Sequence, residues 1–222
     1  MTLFRSYADD MVLMDWLQDK IWTMENHLTG NDVYWGSLLG IAEMIRTGTT
    51  AFADMYFFME ATARAVASSG IRAALSRGLT GSSAADGKAR LDENSALFDT
   101  WNGVENDRIH VMYGPHAPYT CAPEYICSIV KEAARKGAEI HMHLAETKGE
   151  VADCLKKYDK SPIDLMEELG LFELGTLAAH CVHVDDKDME ILMKHHVRIA
   201  SNPQSNLKLA SGIAPIGQML QK

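Results

Sequence analysis

The strongest constraint on the fold is an alternation of short β-rich runs with helical patterns. The six β-rich runs lie at residues 49–57, 71–79, 109–114, 138–145, 176–182 and 197–202. Strands that follow one another through helices pair in parallel and are joined by right-handed crossovers. The alternation therefore predicts an α/β fold, with either an open doubly wound sheet or a (β/α)8 barrel.

Helical patterns fill the intervals, and glycine and proline mark several of their ends. They cover residues 8–27, 31–46, 61–69, 90–101, 123–136 and 185–195, with a pair of helices within 148–169. Gly70 and Gly137 follow helical patterns, where glycine adopts the left-handed conformation that stops a helix. Ser161 before Pro162 predicts an N-cap followed by a first-turn proline.

Polar side chains collect at the ends of several predicted strands, which favours the barrel. They are Asp54, Arg77, His116, His143 with Glu146, His180 and Asn202. A barrel builds its active site from the carboxyl ends of many strands. The glycine-rich phosphate loops of dinucleotide and nucleotide sites do not occur in the sequence. Six strands are two fewer than a closed barrel needs, so we expect an incomplete (β/α)8 TIM barrel.

Composition narrows the class of protein and of partner. With 47% hydrophobic residues, we expect residues 1–222 to form a single barrel domain. The net charge of -9, without a basic cluster, argues against nucleic acid or an anionic membrane as partner. No run approaches about 18 apolar residues, so a cytoplasmic protein with a small-molecule partner is expected. The four cysteines form no C-x-x-C pair and are predicted to be reduced structural thiols.

The stretch KGAEIHMHLAETKGE carries two histidines in a strand pattern. Ala138, Ile140, Met142 and Leu144 alternate with Glu139, His141, His143 and Ala145. Residues i and i+2 share one face of a strand at a separation of about 6.6 Å, so both imidazoles could reach one metal ion. A hydrogen-bonded core pair and a surface strand are the alternatives for these residues taken alone.

Three further segments carry candidate site residues. In TLAAHCVHVDD, His180 ends an apolar run, and a lone histidine there is more often structural. In VMYGPHAPYTCAPEY, prolines stiffen the loop around His116, although such a loop is also typical of a tight turn. IASNPQSNLKLASG is interpreted first as turns and second as ligand contacts.

Taken together, these motifs resemble a known family. EIHMHLAET, LAAHCVHV, GPHAPYTC, RTGTTAFADMYF and SNPQSNLKLASGIAPI are similar, in this order, to segments of the amidohydrolase superfamily. The resemblance covers essentially the whole chain, and it is closest to the 5-methylthioadenosine/S-adenosylhomocysteine deaminases. It implies hydrolytic deamination of an adenine nucleoside to its inosine analogue plus ammonia, with one divalent metal ion, zinc or iron.

The resemblance also implies roles for particular residues. It assigns the metal to His143, and not to His141. Glu146 matches the carboxylate that contacts the purine and moves a proton to its ring nitrogen, and His180 matches the histidine that orients the attacking water. Further substrate contacts fall on His116, on Glu25 for the ribose hydroxyls, and on Arg77 with Arg90 for the homocysteine carboxylate.

The chain departs from the family pattern in its metal ligands. The family's H-x-H of strand one and the aspartate of its G-T-D motif at strand eight have no counterpart here. The six predicted strands then correspond to strands two to seven, without strands one and eight and the small β domain. We expect an inactive core fragment with weak or no metal retention, and open strand edges that could favour a homo-oligomer.

Two other functions stay open from the sequence. A related amidohydrolase could act on guanine or on another aminated or chlorinated heterocycle, although Glu25, Arg77 and Arg90 favour a nucleoside with a carboxylate tail. A non-catalytic binding or assembly module is the alternative from a different class, because half of the metal site is missing.

Overall fold

The computed structural model describes residues 2–8 and 11–222. The seven strands in this part of the chain are β1 Ala51–Tyr56, β2 Arg72–Leu79, β3 Ile109–Val111, β4 Gly114–Pro115, β5 Ile140–Leu144, β6 Thr176–His180 and β7 Arg198–Ala200. Strands β1, β2 and β3 pair in parallel in that order, and so do β5, β6 and β7. The predicted α/β fold with parallel strands is confirmed.

Helices fill the intervals between the strands. They are α1 Leu13–Asp15, α2 Trp22–Glu25, α3 Gly30–Arg46, α4 Met59–Ser69, α5 Ala84–Trp101, α6 Val104–Asp107, α7 Pro123–Lys136, α8 Lys148–Tyr158, α9 Pro162–Glu168, α10 Asp186–Lys194, α11 Pro203–Lys208 and α12 Ile216–Met219. A π-helical stretch, Trp16–Ile21, joins α1 to α2. No helix among the described residues combines the length and apolar character that crossing a membrane requires.

The chain divides into two compact units. The first consists of Met1–Gly78 and Asp92–Met112 and contains β1, β2 up to Gly78, and β3. Its core forms where the sheet meets the apolar face of α4, because the side chains of Leu75, Val66 and Ile109 are fully buried together.

The second unit consists of Leu79–Leu91 and Tyr113–Lys222 and contains the sheet of β5, β6 and β7. Ile140, Met142 and Leu144 alternate along β5 and are fully buried, as the period-two pattern predicts. His141 is also buried, so both faces of this strand are covered.

Local signals at the helix ends act as predicted. Gly70 and Gly137 follow α4 and α7 in left-handed conformations, with φ of 83° and 65°. At the start of α9, the side chain of Ser161 accepts a hydrogen bond from the N–H of Asp164, and Pro162 occupies the first turn. These helices therefore begin and end where short-range chemistry places their boundaries.

Three helical segments differ from the prediction. Helix α5 begins at Ala84 and not at residue 90, because the Tyr125 hydroxyl donates to the carbonyl of Gly87 at 2.8 Å and holds the first turns. The SNPQSN segment, interpreted first as turns, forms α11 with Pro203 in its first turn. The predicted helix over 8–27 appears from Leu13 onward, and its residues 9 and 10 lie outside the described residues.

Candidate active site

Four histidines come together in the second unit. His116 follows β4, His141 and His143 lie on β5, and His180 is the last residue of β6. The ring of His143 lies 5.0 Å from that of His116, 5.9 Å from that of His141 and 5.5 Å from that of His180, measured between centroids. We call these four side chains the histidine cluster.

The backbone at the ends of β5 and β6 has an uncommon conformation. Ala145, His180 and Cys181 adopt positive φ values of 51°, 76° and 46°. The two strand ends hold each other in place, because the N–H of Cys181 donates to Leu144 and that of Val182 donates to Ala145, each at 3.0 Å. Left-handed conformations in non-glycine residues cluster at functional sites, where surrounding contacts stabilise them.

The hydrogen bond of His143 fixes which ring nitrogen carries the proton. Its Nδ1 lies 2.8 Å from the carbonyl oxygen of His116, which can only accept. The Nδ1 therefore donates, and the Nε2 keeps a free lone pair. Burial lowers the pKa of His143 well below its ordinary value, so the ring is neutral at pH 7.

The rings of His116 and His141 are neutral for the same reason. Burial lowers the pKa of both His116 and His141 to about 4. The Thr120 hydroxyl donates to the carbonyl of Ala117 at 3.1 Å and accepts from the Nδ1 of His116 at 2.9 Å. His116 therefore also presents an unprotonated Nε2.

Glu146 lies beside the cluster as a buried carboxyl group. One of its oxygens, Oε1, is 3.6 Å from the Nδ1 of His180 and accepts a 3.4 Å hydrogen bond from the hydroxyl of Ser211. Burial raises the pKa of Glu146 to about 7 and lowers that of His180. A carboxyl group with this pKa can both donate and accept a proton near neutral pH.

Glu150 is a site residue that the sequence analysis missed. Its two carboxyl oxygens accept the backbone N–H groups of Ala145 at 2.7 Å and Glu146 at 2.9 Å, so it fixes the turn that carries Glu146. Burial raises its pKa to about 7. The signal in the sequence was Thr147 followed three residues later by Glu150, which is the pattern of a capping box. In a capping box the glutamate would accept the N–H of the N-cap Thr147, whereas here it accepts the N–H groups of the two residues before it.

Asn206 and Ser211 were also missed, because their segment was interpreted as turns. The Oδ1 of Asn206 lies 2.7 Å from the Nδ1 of His180, and both side chains are buried. The carbonyl of Ser211 accepts from the Nε2 of His183 at 2.6 Å. Helix α11 therefore contacts the histidine at the end of β6, and the loop after it contacts the carboxyl group that follows β5.

Two predicted substrate contacts line one cleft in the first unit. Glu25, from α2, and Arg77, from β2, border a space of about 410 Å³ together with Trp22, Phe57 and Glu93. The Tyr56 hydroxyl donates to the Oε1 of Glu25 at 2.7 Å, and burial raises the pKa of Glu25. The structure thus brings a carboxyl group and a guanidinium to one cleft.

The Arg77 side chain is already held by several groups. Its Nε donates to the Oε2 of Glu93 at 2.8 Å, its Nη1 donates to the carbonyl of Gly78 at 2.6 Å, and the guanidinium lies 4.9 Å from the ring centre of Phe57. Only 12% of the side chain is exposed. Such support keeps a guanidinium in one orientation, which suits bidentate recognition of a carboxylate.

Arg90 belongs to the second unit and is held differently. Its Nη1 donates to the carbonyls of Thr80 at 3.1 Å and Asp86 at 2.9 Å. Its contact with the carboxylate of Asp86 is longer, at 3.8 Å, and about a third of the side chain is exposed. These contacts are as typical of an arginine that stabilises the start of a helix as of one that binds a ligand.

The donor chemistry of the histidine cluster fits part of a metal site. Neutral imidazoles with a free Nε2, whose Nδ1 donates to an oxygen, are the usual form of histidine ligands. His143 and His180 both meet this description. Within the described residues, however, no three His, Cys, Asp or Glu side chains are arranged to hold a metal ion, and a catalytic zinc takes three protein ligands.

Comparisons with known proteins agree with the fold and motifs. The sequence profile of the amidohydrolase family matches residues 1–222. The 5-methylthioadenosine/S-adenosylhomocysteine deaminase of Pelotomaculum thermopropionicum is 53% identical over 221 residues, covering 100% of this chain and 51% of that protein. The deaminase of the same name from Dictyoglomus thermophilum is 53% identical over 222 residues, and the match covers 100% of this chain and 52% of that protein.

A solved structure gives the same picture. An adenosine deaminase from Xanthomonas campestris with bound zinc superposes with a TM-score of 0.91 at 31% sequence identity. The match covers 99% of this chain and 51% of that chain. The chain thus spans about half the length of the curated relatives it matches.

Proposed function

The chain belongs to the amidohydrolase family, and we propose that it forms the core of a metal-dependent deaminase of adenine nucleosides. The substrates would be S-adenosylhomocysteine or 5-methylthioadenosine, and the products the inosine analogue and ammonia. The observation that carries the proposal is the cluster of buried, neutral imidazoles beside Glu146, a carboxyl group whose pKa is raised to about 7. The 53% identity to deaminases of this name supports the substrate class.

This chain would supply only part of the catalytic barrel. Its six longer strands would correspond to strands two to seven of a (β/α)8 barrel, because they alternate with helices and pair in parallel. The chain spans about half of each relative, so further metal ligands would come from segments outside these 222 residues. We therefore expect the isolated chain to retain metal weakly and to be inactive, and its cytoplasmic location and oligomeric state stay predictions.

The roles of this chain's residues follow from their protonation and contacts. His143 would hold the metal ion through its free Nε2. When bound, a zinc-type ion supplies a water of lowered pKa that can add to C6 of the adenine ring. Glu146 would carry a proton to the ring nitrogen, because its pKa of about 7 lets it exchange protons at neutral pH. His180 would orient the attacking water through the ring nitrogen that Asn206 leaves unprotonated.

The remaining predicted residues would bind the substrate. His116 presents an unprotonated Nε2 within the cluster and would accept a hydrogen bond from the nucleoside. Glu25 would accept the two ribose hydroxyls, since carboxylate oxygens are acceptors for paired donors. Arg77 and Arg90 would bind the homocysteine carboxylate, and Arg77 is the less exposed of the two.

A segment exchange tests the proposal. The 221-residue matched segment of the Pelotomaculum thermopropionicum deaminase is replaced by this chain, and the ultraviolet change is followed after addition of S-adenosylhomocysteine or methylthioadenosine. We expect turnover and about one bound metal ion in the hybrid, and neither in the isolated chain. Substitution of His143→Ala in the hybrid should abolish both, whereas Cys127→Ser, at an exposed helix position, should change neither.

Two outcomes would contradict the proposal. A hybrid that folds and binds metal but turns over guanine or a chlorinated triazine instead would favour the related amidohydrolase. A folded hybrid that binds no metal would favour a non-catalytic binding or assembly module.

A further inference from the structure

We propose that Asn206 is a positioning residue that holds His180 in its Nδ1–H tautomer and keeps the Nε2 of that ring available as an acceptor. The inference rests on the proposed function for the role of His180, but the tautomer itself is independent of any activity. It extends the site to α11, a helix that carries none of the predicted site residues.

The contact between Asn206 and His180 determines which ring nitrogen carries the proton. The Oδ1 of an asparagine has lone pairs and no proton, so at 2.7 Å from the Nδ1 of His180 it requires that nitrogen to donate. The opposite tautomer would bring two lone pairs together at this distance. His180 and Asn206 are only 5% and 1% exposed, so in the opposite tautomer water could not supply the hydrogen bond that the two side chains would lose.

Asn206 is itself held firmly. Its N–H donates to the carbonyl of Asn202 at 2.9 Å, and its carbonyl accepts the N–H of Ser211 at 2.8 Å. Gly212 follows with φ of 125°, and a Cβ there would lie 3.1 Å from Val182. The loop is therefore closed around Asn206, which fixes where its side-chain oxygen lies.

A second oxygen near His180 shows why an amide suits this position. The Oε1 of Glu146 lies 3.6 Å from the same Nδ1 of His180, which is beyond hydrogen-bond distance, so Asn206 is the acceptor that selects the tautomer. Asn206 therefore satisfies the Nδ1–H and leaves the carboxyl group of Glu146 able to exchange a proton with substrate. A carboxylate in place of the amide would add a second negative charge, whereas the neutral amide accepts the proton without charge.

The test reads the tautomer directly in the 222-residue chain. The ring nitrogens are labelled with 15N-histidine and observed at pH 7 by long-range proton–nitrogen correlation, and His180 is assigned by its loss in a His180→Gln variant. We expect the Nδ1–H pattern in the native chain and in Asn206→Asp, which keeps an oxygen acceptor. Asn206→Leu should shift His180 to the Nε2–H form or to a mixture, while Gln204→Leu, an exposed position of the same helix, should leave it unchanged.

The outcomes separate this inference from the proposed function. An Nε2–H tautomer in the native chain would overturn it, even if Asn206→Leu failed to fold, and so would an unchanged His180 signal in a folded Asn206→Leu variant. In an active hybrid enzyme, Asn206→Leu should lower kcat by about 10- to 100-fold with little change in KM, as for other residues that orient a catalytic group. Asn206→Asp should recover part of that loss. If the hybrid has no activity, the deaminase proposal fails and the tautomer measurement still decides the role of Asn206.

Discussion

Replacement of Glu150 by glutamine should change the stability of the fold in a pH-dependent way. Both oxygens of this buried carboxyl group accept backbone N–H groups, those of Ala145 and Glu146. In glutamine one oxygen becomes an NH2 group, which cannot accept. One buried N–H then loses its partner, and such a loss costs about 1–3 kcal/mol.

The pH dependence follows from the pKa of Glu150. Burial raises it from an ordinary 4.5 to about 7 in the folded chain, in spite of the two N–H donors. Between these values the folded state keeps a proton that the unfolded state has lost, so stability falls as the pH rises from about 4.5 to 7. The difference corresponds to roughly 3 kcal/mol when the carboxyl group is fully ionised in both states.

The two effects predict how the variant compares with the native chain. At pH 5, Glu150→Gln should be less stable than the native chain by about 1–3 kcal/mol, because it has lost one hydrogen bond. At pH 8 the native chain carries the cost of an ionised buried carboxylate and the glutamine does not. The gap should therefore shrink by roughly 3 kcal/mol, which brings it to about zero or reverses its sign.

Urea unfolding followed by far-ultraviolet circular dichroism at pH 5 and pH 8 measures the gap. Amide hydrogen exchange at Ala145 and Glu146 reports the same change locally. Asp153→Asn is the matched control, because Asp153 lies exposed on the same helix, and it should shift stability by less than about 0.5 kcal/mol at either pH. A gap that stays constant or widens with pH would refute the reasoning, since it would mean that the two N–H donors outweigh burial.

Three further predictions concern packing, hydrogen bonding and thiol reactivity. Gly87→Ala would place a carbon 2.1 Å from the ring of Tyr125, so urea unfolding should show a loss of about 1–3 kcal/mol, whereas Gly217→Ala, with nothing within 4 Å, should change stability by less than about 1 kcal/mol. Tyr56→Phe removes the donor to Glu25 and should cost about 1 kcal/mol in the same assay, and an unchanged midpoint would mean that the contact contributes nothing. Among the four free thiols only Cys127 is exposed, so a colorimetric thiol reagent should modify about one cysteine per native chain, and Cys127→Ser should remove most of that reaction.

The parallel sheets and most helix ends could be predicted because short-range chemistry determines them. A glycine after α4 and a serine before Pro162 stop or start a helix through contacts a few residues away. Helix α5 was predicted to start too late because its first turns are held by Tyr125, 38 residues further along. Helix α11 was missed because Asn-Pro and Ser-Asn are typical of turns, whereas here the proline occupies the first turn of a helix.

The candidate site divides in the same way. The meeting of His143 and His180 follows from the rule that parallel strands end at one edge of a sheet, since β5 and β6 are neighbours, and the sequence was sufficient to predict it. The supporting residues depend on contacts between distant segments, such as Ser211 with Glu146, 65 residues apart. No local pattern in the sequence indicates such a pair.

The sharp turns at the strand ends of the site are not marked by glycines in the sequence. A left-handed conformation is usually adopted by glycine, so a glycine in the sequence is the ordinary indication of a sharp turn. Here Ala145, His180 and Cys181 take positive φ, a conformation that costs a non-glycine residue about 1–3 kcal/mol. Cross-loop hydrogen bonds from Cys181 and Val182 offset that cost, and the sharp turn at His180 places its ring beside both Asn206 and Glu146. A glycine at position 180 would relieve the backbone and remove the imidazole, so the strained histidine fits a site selected for its chemistry at some expense of stability.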